Sequence, residues 1–157
     1  NWGRVHWRSI EFNYRKAPYF GEYKEFFKDV YSRKWEKLVD INWEIISFIL
    51  KELDIKKEII LSSTLNLIGK STDLLIELCK KMGADTYMSG QQSKTYVDLE
   101  KIKVANLKHV FIKFNYLTYP QQFGEFVPNL SIIDALFNVG SEETRRLLQD
   151  NTEFESS

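Results

Sequence analysis

The 157-residue sequence holds a single cysteine, Cys79. That excludes an internal disulfide and any structural zinc site built from several cysteines. Cys79 lies among Leu75, Ile76, Leu78 and Met82 at helical spacing, so it reads as a small buried hydrophobe and not as a nucleophile. There is no excess of charge either, since 22 basic residues balance 22 acidic ones. No long-range field then draws nucleic acid or an anionic membrane, and no basic stripe with interleaved aromatics is present. No segment approaches the run of ~20 apolar residues that a membrane span requires. Nor does a signal peptide open the chain, which points to a cytoplasmic location. The sequence begins Asn1-Trp2-Gly3 without an initiator methionine, which leaves room for a native start upstream. The two histidines, His6 and His109, stand in no metal-ligand spacing, so no metal site is expected. No Ser-His-Asp or Cys-His arrangement emerges from spacing either.

Aromatic side chains are plentiful: 11 Phe, 8 Tyr and 4 Trp. Such a load implies a core of large side chains or a ring-lined pocket. In the first third, Trp7 to Ala17 reads as a helix ended by Pro18. Tyr23, Phe26, Phe27, Val30 and Tyr31 recur at three- and four-residue intervals and predict a second helix. A third runs from about Trp35 to Leu53 and is apolar over more than one face, which predicts burial against more than one partner.

The middle changes character. Ile59-Ile60-Leu61 reads as a short buried strand. Gly69 to Asp73 opens a helix that Gly83 closes, and Tyr87-Met88-Ser89-Gly90 follows as a second strand. Strand, helix and strand make a βαβ unit with parallel strands. A short helix carries Tyr96, Val97, Leu99 and Ile102, and His109–Asn115 reads as a third strand. Residues 116–129 read as a long loop, Ser131 to Asn138 and Ser141 to Asp150 as two helices, and the polar tail after Asn151 as frayed.

Gly69-Lys70-Ser71-Thr72 is like the end of a phosphate-binding loop, but Thr64 stands where that motif needs its first glycine. A capped helix start accounts for it, and a weaker option is an anion at the helix N-terminus, with Lys70 touching a phosphate. Ligands of open parallel sheets bind beyond the carboxyl ends of the strands. Ser62 and Ser63 end the first strand there, and Ser89, Gly90 and Gln91, with Tyr96 beyond, end the second. A parallel third strand would add Asn115, Tyr116, Tyr119 and Gln121. Hydroxyls, amides and phenols in one crevice suit a hydroxyl-rich or nucleotide-like ligand, and turn formation explains the same residues as well. Ser131 and Asp134 fit the capping-box spacing, which accounts for Asp134 without a catalytic role.

Several segments in order resemble the WbqC-like protein family. They are His6 to Phe20 with Tyr14-Arg15-Lys16-Ala17-Pro18-Tyr19-Phe20, Leu61-Ser62-Ser63, Gly69-Lys70-Ser71, and Gly83 to Gly90 with Tyr96. Tyr119, Gln121, Phe126 to Pro128 and Ser131 to Gly140 complete the set. The resemblance implies a place in bacterial surface-polysaccharide (O-antigen) gene clusters. It also implies an N-terminal segment with a Gln-Pro-aromatic-Phe-Pro signature that is absent from this sequence.

The expected fold is therefore one α/β domain over residues 1–157, a Rossmann-like parallel sheet of few strands flanked by helices, with a helix-rich first third. The expected function is transfer, of an acyl or aminoacyl group, to a sugar or sugar nucleotide. Ser62, Ser63, Lys70, Ser89, Gly90, Gln91, Tyr96, Tyr116, Tyr119 and Gln121 are the expected substrate contacts. No cofactor and no general base is indicated. The rival expectation is a non-catalytic binding or assembly module, such as an oligomer, using Trp2, Trp7, Tyr19, Phe20 and Phe27 as an exposed aromatic patch.

Overall fold

A computed structural model describes residues 1–115 and 118–156. Six helices and three strands follow the order α1 (Trp2–Tyr14), α2 (Phe20–Ser32), α3 (Leu38–Glu52), α4 (Ser71–Lys81), β1 (Thr86–Gly90), α5 (Leu99–Val104), β2 (Lys108–Phe114), α6 (Ile132–Asp150) and β3 (Thr152–Ser156). The class is mixed α/β. The chain divides into two compact units, one of residues Asn1–Lys57 with Tyr116–Asp150 and one of Glu58–Asn115 with Asn151–Ser157. Among the described residues no helix is long and apolar enough to cross a membrane.

The first unit is built around Phe137, which is fully buried on α6. Its ring centroid lies 4.9 Å from Tyr14, 5.4 Å from Phe20, 5.6 Å from Phe27 and 6.2 Å from Tyr23. Edge-to-face and tilted contacts at these distances add to the area that each ring removes from water. Phe26 stacks on Phe48 at 3.6 Å and brings α3 to α2. Phe20 and Phe27 are thus core residues, and Trp7 packs against them. Two members of the expected aromatic partner patch are therefore interior, because an amphipathic helix turns its rings inward when it has neighbours to bury them, while Trp2 and Tyr19 stay exposed. The expectation for α3 is also corrected. Only Ile41 on it is buried, while Leu38, Val39, Trp43 and Ile46 face solvent.

Close backbone approach sets two glycines. A Cβ on Gly3 would sit 2.4 Å from the Tyr31 carbonyl oxygen, so α1 and α2 meet only where a side chain is absent. Gly140 breaks α6 at φ 77°, ψ 176°, a region in effect closed to other residues. A Cβ there would lie 2.7 Å from the Tyr19 ring. The Tyr19 amide donates to the Phe137 carbonyl at 3.0 Å, and the Thr144 hydroxyl donates to the Gly140 carbonyl at 2.6 Å. The break therefore holds the α1–α2 turn against α6.

The second unit is a three-stranded mixed sheet in the order β1-β2-β3. β1 and β2 are parallel, with Ser89 opposite Phe111, and are joined through α5. β3 pairs antiparallel to β2. Tyr87, Ser89, His109 and Phe111 share the covered face, whereas Met88 points to solvent. The Asp98 side chain caps α5 by accepting from the Lys101 amide, and the Thr72 hydroxyl on α4 accepts from the Asp98 amide. Gly83, at φ +63°, ends α4 with the Ala84 amide bonded back to the Cys79 carbonyl, as expected of a glycine cap.

Two expectations fail here. Ile59-Ile60-Leu61 forms no strand and is more than a third exposed, because three apolar residues with no adjacent strand have no ladder to join. The parallel crossover accordingly runs β1–α5–β2, one element later than expected. The tail is not frayed over Thr152–Ser156 but is β3, tied to β2 and its neighbours by Lys113–Glu153 and Lys94–Glu155 ion pairs.

Replacing Gly140 by Ala should destabilise the chain by roughly 1–3 kcal/mol from backbone strain alone, with the Tyr19 clash added. Gly21→Ala, in the first turn of α2 with open space around it, should be neutral or stabilising by up to ~1 kcal/mol. Thermal unfolding of the two variants checks both, and equal melting points would contradict this account of the α6 break.

Candidate functional site

Each unit carries one buried polar cluster. In the second unit Ser89, on β1, is joined to Ser93 at 2.6 Å and to His109 Nε2 at 2.8 Å. All three are buried. The Ser93 hydroxyl donates to the Gly90 carbonyl at 2.7 Å. Each hydroxyl has one proton. Ser93 spends its proton on Gly90, so Ser89 must donate to Ser93, and His109 must donate Nε2–H to Ser89. A histidine that donates to a serine cannot at the same time take that serine's proton, so the trio is not a nucleophile with its base. Its direction instead fixes the β1 end and the turn after it.

The other expected contacts of this unit are more dispersed. Ser62 and Ser63 lie exposed in a 3-10 turn, and Tyr96 is 62% exposed. Gln91 donates to Glu155 at 3.4 Å. Gly90 ends β1 with open space about its Cα. At the start of α4, the amides of Ile68 and Gly69 donate to Glu77 Oε2 at 3.1 and 2.9 Å. These backbone bonds hold the Glu77 carboxyl below its usual range. The two amides that precede α4 are thus occupied by a carboxylate of the same unit, while the Lys70 side chain stays at the surface.

In the first unit a cavity of about 260 Å³ opens beside α6. Asp134, 3% exposed, contributes its carboxylate to the lining. Tyr119 donates its hydroxyl to Oδ2 at 2.8 Å, and Gln121 Nε2 donates to the same oxygen at 2.9 Å. Asn138 Nδ2 reaches Oδ1 at 3.2 Å. Gln121 also clamps the loop, with its Oε1 accepting from the Val127 amide at 2.8 Å and its Nε2 donating to the Val127 carbonyl at 3.1 Å. Asp134 stands in the first turn of α6, where the helix dipole favours negative charge. It does not form the expected capping box: its carboxylate turns to Tyr119, Gln121 and Asn138 instead.

No lysine, arginine or histidine lines the cavity among the described residues. A buried carboxylate without a cation is costly, and here neutral donors and the dipole offset that cost. Burial, then the Asp134 hydrogen bond and charge, push the Tyr119 phenol up to about 12. Burial, followed by the Asp134 charge and a hydrogen bond to it, drives the Tyr14 phenol higher still. Tyr119 and Gln121 are among the contacts expected from sequence, whereas Asp134, Asn138 and Tyr14 are not. The Asn138 position four residues after Asp134 on one helix is the signal that would have paired them. Tyr116 lies outside the described residues.

Burial lowers the His109 pKa below its ordinary 6.5. The unfolded chain then binds a proton more readily than the folded one, so stability is present above the ordinary value and is lost as pH falls through the folded value. Melting temperature should drop between about pH 7.5 and 5, and His109→Gln should flatten that slope. Parallel curves for the two proteins would show that His109 does not carry the dependence.

An uncharacterized Mycobacterium tuberculosis protein, Rv1507c, is similar at 31% identity over 144 residues, covering 90% of this chain and 62% of that protein. The chain thus spans less than two thirds of its relative's length. No solved structure matches. The profile of the WbqC-like protein family matches residues 1–146, which include every residue of the Asp134 cluster, and the chain belongs to that family.

Proposed function

We propose that this WbqC-like chain binds the sugar of a substrate in bacterial surface-polysaccharide (O-antigen) assembly, as part of a cytoplasmic transferase that acts on a sugar or sugar nucleotide. The observation that carries the reading is the cavity beside Asp134. Sugar rings present closely spaced hydroxyls that both donate and accept, and a carboxylate flanked by amides answers that pattern. Phe123, Val127 and Leu130 give the same cavity an apolar wall for the carbon–hydrogen face of a ring. A volume of about 260 Å³ lies at the small end for ligand sites and suits one ring rather than a whole nucleotide sugar.

The cavity lining also says what stays out. With one carboxylate and no cation among the described residues, it disfavours a phosphate. In the second unit, taken by itself, Lys70 is the residue proposed to contact a phosphate, with Ser62, Ser63, Gly90, Gln91 and Tyr96 as further polar contacts. The parallel β1–α5–β2 crossover is what supports a Rossmann-like origin for this second unit. Transfer of an acyl or aminoacyl group to the sugar is the proposed reaction, and no residue is assigned as its base. The rival reading, an assembly module with an aromatic surface, keeps Trp2 and Tyr19 at the surface but loses Phe20 and Phe27 to the core.

A thermal-shift panel of monosaccharides, nucleotide sugars and acyl donors tests the proposal. A bound sugar at ~100 times its Kd should stabilise the chain by about 2.7 kcal/mol. Asp134→Asn should abolish that gain. If no member of the panel stabilises a well-folded protein, the sugar-binding reading is wrong.

A further inference from the structure

The solvent side of α1 carries charge that no neighbour answers. Residues 1–16 hold four basic side chains, Arg4, Arg8, Arg15 and Lys16, against one carboxylate, Glu11, in a chain whose net charge is zero. All five residues are exposed, and among the described residues none of them forms an ion pair. At ~100° per residue, Arg4, Arg8 and Arg15 fall within about 40° of one another around the axis and make one row along the helix. Val5 and Phe12 make the adjoining row and are 60% and 72% exposed. Both rows border one open groove, and every residue that lines it belongs to α1 or its cap, Arg15. The stripe is hidden in the sequence because Trp7, Ile10 and Tyr14, which pack inward, are interleaved with it.

We propose that this face of α1 is a peripheral docking surface for an anionic lipid bilayer, on which the helix lies without crossing it. Three features choose that occupant. The unanswered charge is positive, so its complement is anionic. The groove has walls from one helix alone and cannot enclose a small anion, whereas a plane of headgroups meets the whole row at once. The exposed Val5 and Phe12 side chains would enter the boundary between headgroups and acyl chains. A nucleic acid would match the charge and leave those two without an apolar partner. The field of so few charges is confined to about a Debye length, ~8 Å at physiological salt, so the neutral chain still exerts no pull at long range. The proposal stands independently of the sugar-binding reading.

Flotation of the full chain with lipid vesicles tests it, using phosphatidylcholine alone and phosphatidylcholine with phosphatidylglycerol at about 3:1. The chain should float with the anionic vesicles only, and less as salt rises. Arg8→Gln combined with Arg15→Gln should weaken binding roughly tenfold or more, and Glu11→Gln should tighten it about fivefold. Phe12→Ser should weaken it severalfold at unchanged charge. All four positions are exposed, so the melting temperature should not move, and a gain from Glu11→Gln cannot come from misfolding. No flotation with anionic vesicles, or flotation indifferent to these substitutions, would overturn the proposal. Duplex DNA or polyglutamate that binds as tightly and displaces the vesicles would also overturn it, because the surface would then read charge alone. So would dimerisation that is lost in Phe12→Ser, since a second copy would then be the occupant.

Discussion

The first unit depends on one buried carboxylate that has no cation to neutralise it. Asp134 is kept by a phenol, two amides and the start of a helix, and those partners come from separate stretches of chain. Charge-assisted hydrogen bonds of this kind are worth ~1.5–3 kcal/mol each, and losing one leaves the charge exposed to an apolar surrounding. The loop that holds Tyr119 and Gln121 is therefore tied to α6 by electrostatics. Three residues on, Phe137 collects the rings of Tyr14, Phe20, Tyr23 and Phe27. One turn of α6 thus organises both the core and the cavity, and Gly140 ends that turn with a break that only glycine tolerates.

The two units treat their polar groups differently. In the second, Ser89, Ser93 and His109 pass their protons in one direction to the Gly90 carbonyl, and Glu77 fills the amides before α4. Such closed networks position strands and turns. In the first, Asp134 and its amide partners line a cavity, and a cavity with a few polar groups and an apolar wall is what a ligand can use. That difference moves the functional weight from the strand ends to the loop and α6.

Where the signal was local, the sequence was readable. Three- and four-residue spacing located α2 and α4, Gly83 ended α4 as its φ requires, and α1 lies about five residues earlier at its start than the Trp7 to Ala17 helix expected. Strand β2 was legible from its alternation. Ile59 to Leu61 looked like a strand because β-branched apolar runs suit sheets, but a strand exists only where a neighbour supplies the ladder, and composition does not report neighbours. Strand β3 was hidden for the opposite reason, since polar residues such as Glu153 and Glu155 obscured an alternation that cross-strand ion pairs support. The solvent-facing side of α3 could not be read from its hydrophobicity, which says what a helix would bury and not what is there to bury it. Tyr119 and Gln121 were chosen as ligand contacts near a strand end. They meet instead on Asp134, a residue whose cap-like spacing gave it a sufficient local explanation.

The most direct test of the Asp134 account is a titration of Tyr119 by NMR with labelled tyrosine, assigned with Tyr119→Phe. The account predicts a phenol that titrates at about 12, with the shift reduced in Asp134→Asn. A phenol raised in this way contributes stability that is complete below its ordinary value of 10.0 and is lost as pH rises through the folded value, so alkaline unfolding should accompany the titration. A Tyr119 that titrates near 10 and is indifferent to Asp134→Asn would contradict the buried carboxylate as the organising interaction.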